Sequence, residues 1–278
     1  MCGIFGCKPA VENWLNSALL EHDNRGPDQS AQLVVGDIGL AVNRLAITGD
    51  LESGSQPVFS KSKKTVCVFN GAIFNYRELI EEYSLRPSSE NDAAVALELF
   101  ELEGQNLFNV IQGMFSIIIV DLKNKSMTVG RDTLGIKPLY WASNNGRILF
   151  SSSINAIPKS MLPFVQTFPP GKVWNDSGTL RKIVPIIKDR KDTETLLLET
   201  VKKHIPNEVK WGCSLSGGLD SSLVCAMAKN LGYKFECYVL DAGVSGDRDA
   251  AKLVTDHLGL PLKVVKVTKD EVKEAIPL

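Results

Sequence analysis

The chain has 278 residues, 44% hydrophobic and 23% charged, an ordinary globular composition at a length that suggests about two domains. Its net charge of −1 offers no basic excess for nucleic acid, and no apolar run approaches the ~18 residues of a membrane span. The N-terminus lacks a charged stretch followed by an apolar one, so no secretory signal is evident and the expected location is cytoplasmic.

The chain opens Met1-Cys2-Gly3-Ile4-Phe5-Gly6. Methionine aminopeptidases act when residue 2 is small, as cysteine is. Removal of Met1 leaves a thiol and a free α-amine on one residue. The unperturbed α-amine has a pKa of about 8, so it accepts a proton near neutrality. A thiolate is a strong nucleophile, and Cys2 thus combines nucleophile and base in a single residue.

Residues 12–21, 76–83 and 91–103 read as helices, the last opened by a Ser89-x-x-Asp92 capping-box pattern. Residues 32–35, 40–45, 66–69, 115–121, 126–131, 138–142 and 148–152 read as strands bounded by Gly, Asn, Asp and Pro. Many strands with few helices imply sheets with a helical layer outside them. The charged segment 181–191, with Pro185, reads as a linker between domains 1–188 and 189–278.

After it the pattern alternates. Helix 193–204, strand 209–214, helix 221–230, strand 235–240, helix 249–258 and strand 262–267 follow in turn, and Thr268-x-x-Glu271 is a capping box for a last helix. That alternation is a parallel α/β sheet. Three strands are few for one, so the second domain reads as partial, with an exposed edge at its first strand.

Cys67, Cys213 and Cys237 lie in strand-like runs and Cys225 in a helical one, which marks them as buried, reduced thiols. With no Cys-x-x-Cys and only three histidines, a zinc site is not expected.

Between strand and helix stands Ser214-Leu215-Ser216-Gly217-Gly218-Leu219-Asp220-Ser221-Ser222. Adjacent glycines let backbone N–H groups approach an anion, the helix N-terminus favours negative charge, and the serine hydroxyls add donors. Asp220 is a candidate Mg²⁺ ligand, since that ion prefers carboxylate and phosphate oxygen.

Residues Ser216–Ser222 resemble the pyrophosphate-binding loop of the N-type ATP pyrophosphatases. Cys2-Gly3-Ile4-Phe5-Gly6 resembles the class II glutamine amidotransferases. Together with Arg25-Gly26-Pro27-Asp28, Asn43-Arg44-Leu45-Ala46-Ile47, Asn70-Gly71-Ala72-Ile73-Phe74-Asn75, Gly113-Met114-Phe115, the run from Arg131 to Tyr140 and Pro169-Pro170-Gly171, the order resembles the glutamine-dependent asparagine synthetases.

The resemblance implies an α+β N-terminal-nucleophile sandwich with αββα layers, followed by a Rossmann-like, PP-loop α/β partial domain. It implies that Cys2 attacks the glutamine carboxamide, with the oxyanion held by the Asn70 side chain and the Gly71 N–H. Arg44, Leu45, Ala46, Ile47, Ala72 and Asp92 would line the glutamine site, Arg44 on the α-carboxylate and Asp92 on the α-ammonium. Asn-Gly is also a common hairpin turn. Leu215, Ser216, Gly217, Gly218, Leu219, Asp220, Ser221, Ser222 and Val239 would hold ATP, with Mg²⁺ on Asp220.

Three positions depart from the family pattern. Ala72 replaces a glutamate that helps bind the glutamine ammonium, which implies weaker glutamine binding. Asn24 replaces a histidine and Thr133 a proline. The implied reaction is ATP-dependent amidation of aspartate, or another carboxylate acceptor, by glutamine-derived ammonia, with a homodimer or a partner chain completing the second domain. A glutaminase-only enzyme and a glutamine- or ATP-sensing subunit are the alternatives. The related β-lactam synthetases usually lack the nucleophile.

Overall fold

The computed structural model describes residues 1–47, 54–89, 91–186, 192–206, 209–243 and 246–276. It divides into two compact units, Met1–Lys188 and Asp189–Leu278.

The first unit runs β1 Gly3–Lys8, α1 Glu12–Glu21, β2 Gln29–Val35, β3 Ile38–Arg44, β4 Val58–Phe59, β5 Thr65–Ile73, α2 Tyr76–Glu82, α3 Asp92–Glu103 and α4 Leu107–Val110. It continues with β6 Gly113–Asp121, β7 Ser126–Arg131, β8 Tyr140–Asn144, β9 Arg147–Ser151, β10 Val165–Thr167, β11 Lys172–Asn175 and β12 Leu180–Lys182. Two antiparallel sheets result, ordered β10-β8-β9-β1-β3-β2 and β12-β11-β7-β6-β5-β4.

Strand alternation assigns the faces. On β1, Ile4 joins the cluster between the sheets, while Phe5 and Cys7 pack with Leu15 and Ala18 of α1. On β5, Val66 and Val68 face between the sheets, while Cys67, Phe69 and Ile73 pack against Ala93–Leu99 of α3. The helices therefore lie outside two face-to-face sheets, in αββα layers. Both faces of β6 are covered, and its Phe115–Val120 stretch is apolar apart from Ser116. Phe150 on β9 bridges the layers, its ring 5.1 Å from Trp174 and 5.9 Å from Phe168.

Several boundaries differ from the sequence reading. The strand β1 was not anticipated. Asn91, not Ser89, caps α3: it sits in extended backbone and accepts Ala94 N at 2.8 Å. The first part of the expected linker is an edge strand, β12, paired with β11, and Ile183 joins the core. Residues 187–191 of that linker lie outside the described residues.

The second unit runs α5 Thr193–His204, β13 Gly212–Ser214, α6 Leu219–Asn230, β14 Glu236–Asp241, α7 Asp247–Leu258, β15 Leu262–Lys266 and α8 Lys269–Ala275. Its parallel sheet has the order β13-β14-β15. Cys225 and Ala228 of α6 and Ala251 of α7 pack on Leu215, Cys237 and Val239. Helix α6 starts at Leu219, two residues before the expected Ser221, because extended Gly218 is its N-cap. The Thr268–Glu271 capping box is present. Cys67, Cys225 and Cys237 are fully buried, but Cys213 is only partly so, since β13 is an edge strand.

Phe150→Ala would open a cavity in the aromatic bridge between the sheets. Chemical denaturation should show a loss of about 3–5 kcal/mol from the first unit.

Candidate functional site

Cys2 stands one residue ahead of β1, on the Ile4 side of the strand by alternation. Its Sγ accepts Leu45 N–H at 3.4 Å, and its carbonyl accepts Arg25 Nε–H at 3.2 Å. Burial pushes the Cys2 thiol up, while the Leu45 N–H, the terminal amine and Arg44 pull it down and Asp92 raises it. The terminal amine is Met1's in the structure. Burial lowers it first; Cys2 and Asp28 raise it, and Arg25 and Lys137 lower it further. Burial thus disfavours the charged form of both the Cys2 thiol and the Met1 amine.

Asn70 and Gly71 do not form a hairpin turn. Both lie inside β5. Alternation places Asn70 on the face of Val66 and Val68, towards the other sheet. It is buried, and its Nδ2 has no partner among the described residues.

The direction of the Gly71 amide follows from its neighbour. Gly71 is in register with Phe115 of β6. Phe115 spends both backbone groups on Asp132: its oxygen accepts Asp132 N–H at 2.9 Å, and its N–H donates to Asp132 Oδ2 at 3.1 Å. Gly71 and Phe115 are therefore a non-hydrogen-bonded pair, the closer of the two antiparallel spacings, and the Gly71 N–H points away from β6. On that side Gln56 occupies Phe69, accepting its N–H at 2.7 Å and donating to its oxygen at 3.0 Å. Asp92 Oδ2 accepts Ile73 N–H at 2.9 Å. Between these two, the Gly71 N–H has no acceptor among the described residues. The close approach also requires glycine, because a Cβ would overlap Met114 O and lie 2.7 Å from Phe115 Cα. A buried unpaired donor costs about 1–3 kcal/mol, and Asn70 Nδ2 is such a donor.

Arg44 and Asp92 are both buried, Arg44 at the end of β3 and Asp92 in the first turn of α3, where a carboxylate is favoured. The charges of both act on the Cys2 thiol. Ala46 N–H donates to Asp28 Oδ2 at 2.8 Å, Ile47 is exposed, and Ala72 is half-buried. Residues 48–53, which follow Ile47, lie outside the described residues. Arg25, Asp28, Gln56 and Lys137 also shape the site, yet the sequence reading gave them no role. Arg25, Asp28 and Lys137 fall in the quoted motifs, which was their one visible signal.

In the second unit, Ser216 Oγ lies 3.1 Å from Ser221 Oγ and accepts Gly218 N–H at 3.3 Å, and Ser222 Oγ is buried with no partner among the described residues. Gly217 has φ +78°, and its backbone abuts Ala250 of α7, where a side chain would not fit. Leu215 and Val239 are buried beneath the loop, and Leu215 N–H donates to Tyr238 O at 2.8 Å. Asp220, exposed in the first turn of α6, stands beside the loop. No group of three His, Cys, Asp or Glu able to hold a metal occurs among the described residues. One carboxylate suits an ion that takes most of its ligands from water and phosphate, which is how Mg²⁺ is usually held.

Gly71→Ala should cost about 1–3 kcal/mol by overpacking β5 against β6, read as a lowered denaturation midpoint.

Residues 1–168 match the family model described as glutamine amidotransferase domain, and residues 192–278 match that described as asparagine synthase. The chain is 30% identical to asparagine synthetase B [glutamine-hydrolyzing] of Escherichia coli (strain K12), over 99% of this chain and 56% of that protein. It is 33% identical to asparagine synthetase [glutamine-hydrolyzing] of Zea mays, over 93% of this chain and 49% of that one. The chain thus spans about half the length of the curated relatives it matches. Among solved structures it resembles a glutamine phosphoribosylpyrophosphate amidotransferase from B. subtilis, with a TM-score of 0.53 at 15% identity, over 99% of this chain and 70% of that one. At that identity the likeness is one of fold.

Proposed function

The chain belongs to the glutamine amidotransferase family, and we propose that it hydrolyses glutamine at Cys2 and supplies the ammonia to an ATP-dependent synthesis of asparagine. The observation that supports the first half is the buried, unpartnered Asn70 Nδ2 next to Gly71, whose N–H is turned away from β6.

With Met1 removed, the Cys2 α-amine takes the thiol proton as Sγ attacks the glutamine carboxamide carbon. The carbonyl oxygen becomes an oxyanion and accepts from Asn70 and Gly71, donors aimed where charge develops. The amine returns the proton to the leaving nitrogen, ammonia departs, and a γ-glutamyl thioester remains. Water then attacks the thioester carbon, its proton passes to the amine and on to Sγ as the C–S bond breaks, and glutamate is released. Arg44 receives the substrate carboxylate, a geometry that suits guanidinium, and Asp92 the ammonium. With Ala72 in place of an acid, Asp92 carries the ammonium alone, and glutamine affinity is reduced.

The match of residues 192–278 supports the second half. ATP would lie on Leu215–Ser222 and Val239, its phosphates facing the loop N–H and hydroxyl groups and the start of α6. Asp220 would hold Mg²⁺, which neutralises phosphate charge when bound. Aspartate, or another carboxylate, activated as an adenylate would accept the ammonia. A homodimer or a partner chain contributing to this half, and a cytoplasmic location, belong to the same proposal. No helix among the described residues is long and apolar enough to cross a membrane.

Cys2→Ala should abolish glutaminase activity while leaving ATP binding intact; glutamine hydrolysis by that variant would refute the assignment. Asn70→Ala should lower kcat by about 100- to 1000-fold with little change in KM.

A further inference from the structure

Lys137 is a buried lysine with no assigned task. It is 7% exposed and has no ion pair among the described residues. Its Nζ lies 3.4 Å from Met1 Sδ. Its backbone is braced from both sides. The Lys137 N–H donates to Asp132 Oδ2 at 3.1 Å, and its carbonyl accepts Arg131 Nε–H at 2.8 Å. The same guanidinium donates to the carbonyls of Gly135 at 2.8 Å and Phe168 at 2.5 Å, and the same carboxylate also accepts Phe115 N–H and Ile136 N–H. Asp132 is thus committed to backbone and does not pair with the Lys137 ammonium. An ammonium on a buried side chain with no carboxylate partner is costly, which marks it as a group with a task.

The contact that Lys137 does make is to the residue that maturation removes. We propose that Lys137 is a positioning residue for the mature N-terminus, its ammonium held beside the space Met1 vacates so that the Cys2 α-amine stays neutral and ready to accept the thiol proton. This rests on the glutaminase reading above.

The electrostatic sign is consistent. A cation beside an amine disfavours its protonation, and one beside a thiol favours the thiolate. The other charged or titratable groups around the terminus are Arg25, which donates to the Cys2 carbonyl, and Asp28, Arg44, Asp92 and Asp132, with Tyr140 acting on Arg25 and Arg131. Arg25 reinforces Lys137, and one of its nitrogens, Nη2, is also buried with no partner among the described residues. Asp28 opposes them, but it is held by Ala46 N–H.

The test is the pH profile of kcat/KM for glutaminase in the wild type, Lys137→Met, Lys137→Gln and Lys137→Arg, with Met1 removal verified by intact mass. Loss of the charge should move the acid limb about one pH unit upward, with Arg restoring the wild-type profile. A uniform loss of rate without a shift, or a shift that Arg does not reverse, would overturn the inference. If the neutral variants do not fold, the wild type can still refute the role. An α-amine pKa measured by NMR on ¹⁵N-labelled cysteine should fall well below the usual value of about 8, and one at or above it would refute the role. An inactive wild type, by contrast, would count against the glutaminase reading itself.

Discussion

The site is organised around the non-hydrogen-bonded pairing of Gly71 with Phe115. Because Phe115 gives both backbone groups to Asp132, the Gly71 amide is turned to the open side of β5. Gln56 closes that edge on one side and Asp92 on the other, and both stop short of Gly71. The gap lies beside the buried Asn70 amide. The Asn70 amide is thus kept buried and unpaired at a cost that the packing of the αββα sandwich has to offset. The same Asp132 carboxylate that turns Phe115 away also braces Lys137. One side chain therefore links the direction of the Gly71 N–H to the charge beside the terminus.

The electrostatics around Cys2 reflect competing effects. Burial raises the Cys2 thiol and lowers the terminal amine, and it is the leading cause in both cases. The two effects disfavour the charged forms of the Cys2 thiol and of the Met1 amine. Arg25, Arg44 and Lys137 tilt that pair towards proton transfer, since a thiolate gains from their charge and a protonated amine loses by it. The surrounding charges do not by themselves offset burial at Cys2, whose thiol stays raised.

Much of this was legible in the residues. The helices of the second unit and its capping box follow from periodicity and Thr268-x-x-Glu271. The strands β5, β6 and β7 follow from apolar runs between turn residues. Elsewhere local signals misled for identifiable reasons. Ser89 and Asp92 have the spacing of a capping box, but Asn91, adjacent to the helix, has the extended backbone and takes the cap. Asn70-Gly71 has the composition of a turn, and tertiary pairing with β6 places it within a strand instead. The opening Gly-rich stretch has weak strand propensity and becomes β1 because β3 and β9 flank it. Lys137 gave no signal of its own: its burial comes from Arg131 and Asp132 folding their loop back, a long-range effect that no local pattern encodes.

The two units carry complementary chemistry on the proposed reading, with an oxyanion site in one and an anion-binding loop at a helix N-terminus in the other. The central claim concerns the first, and the most direct measurement is a crystal structure of the mature protein with Cys2 joined to the γ-aldehyde analogue of glutamine. The thiol adds to the aldehyde and gives a tetrahedral carbon bearing one oxygen. The account predicts that this oxygen lies about 2.7–3.1 Å from both Asn70 Nδ2 and Gly71 N. An adduct whose oxygen faces solvent or other donors, with those two groups still unpaired, would contradict it.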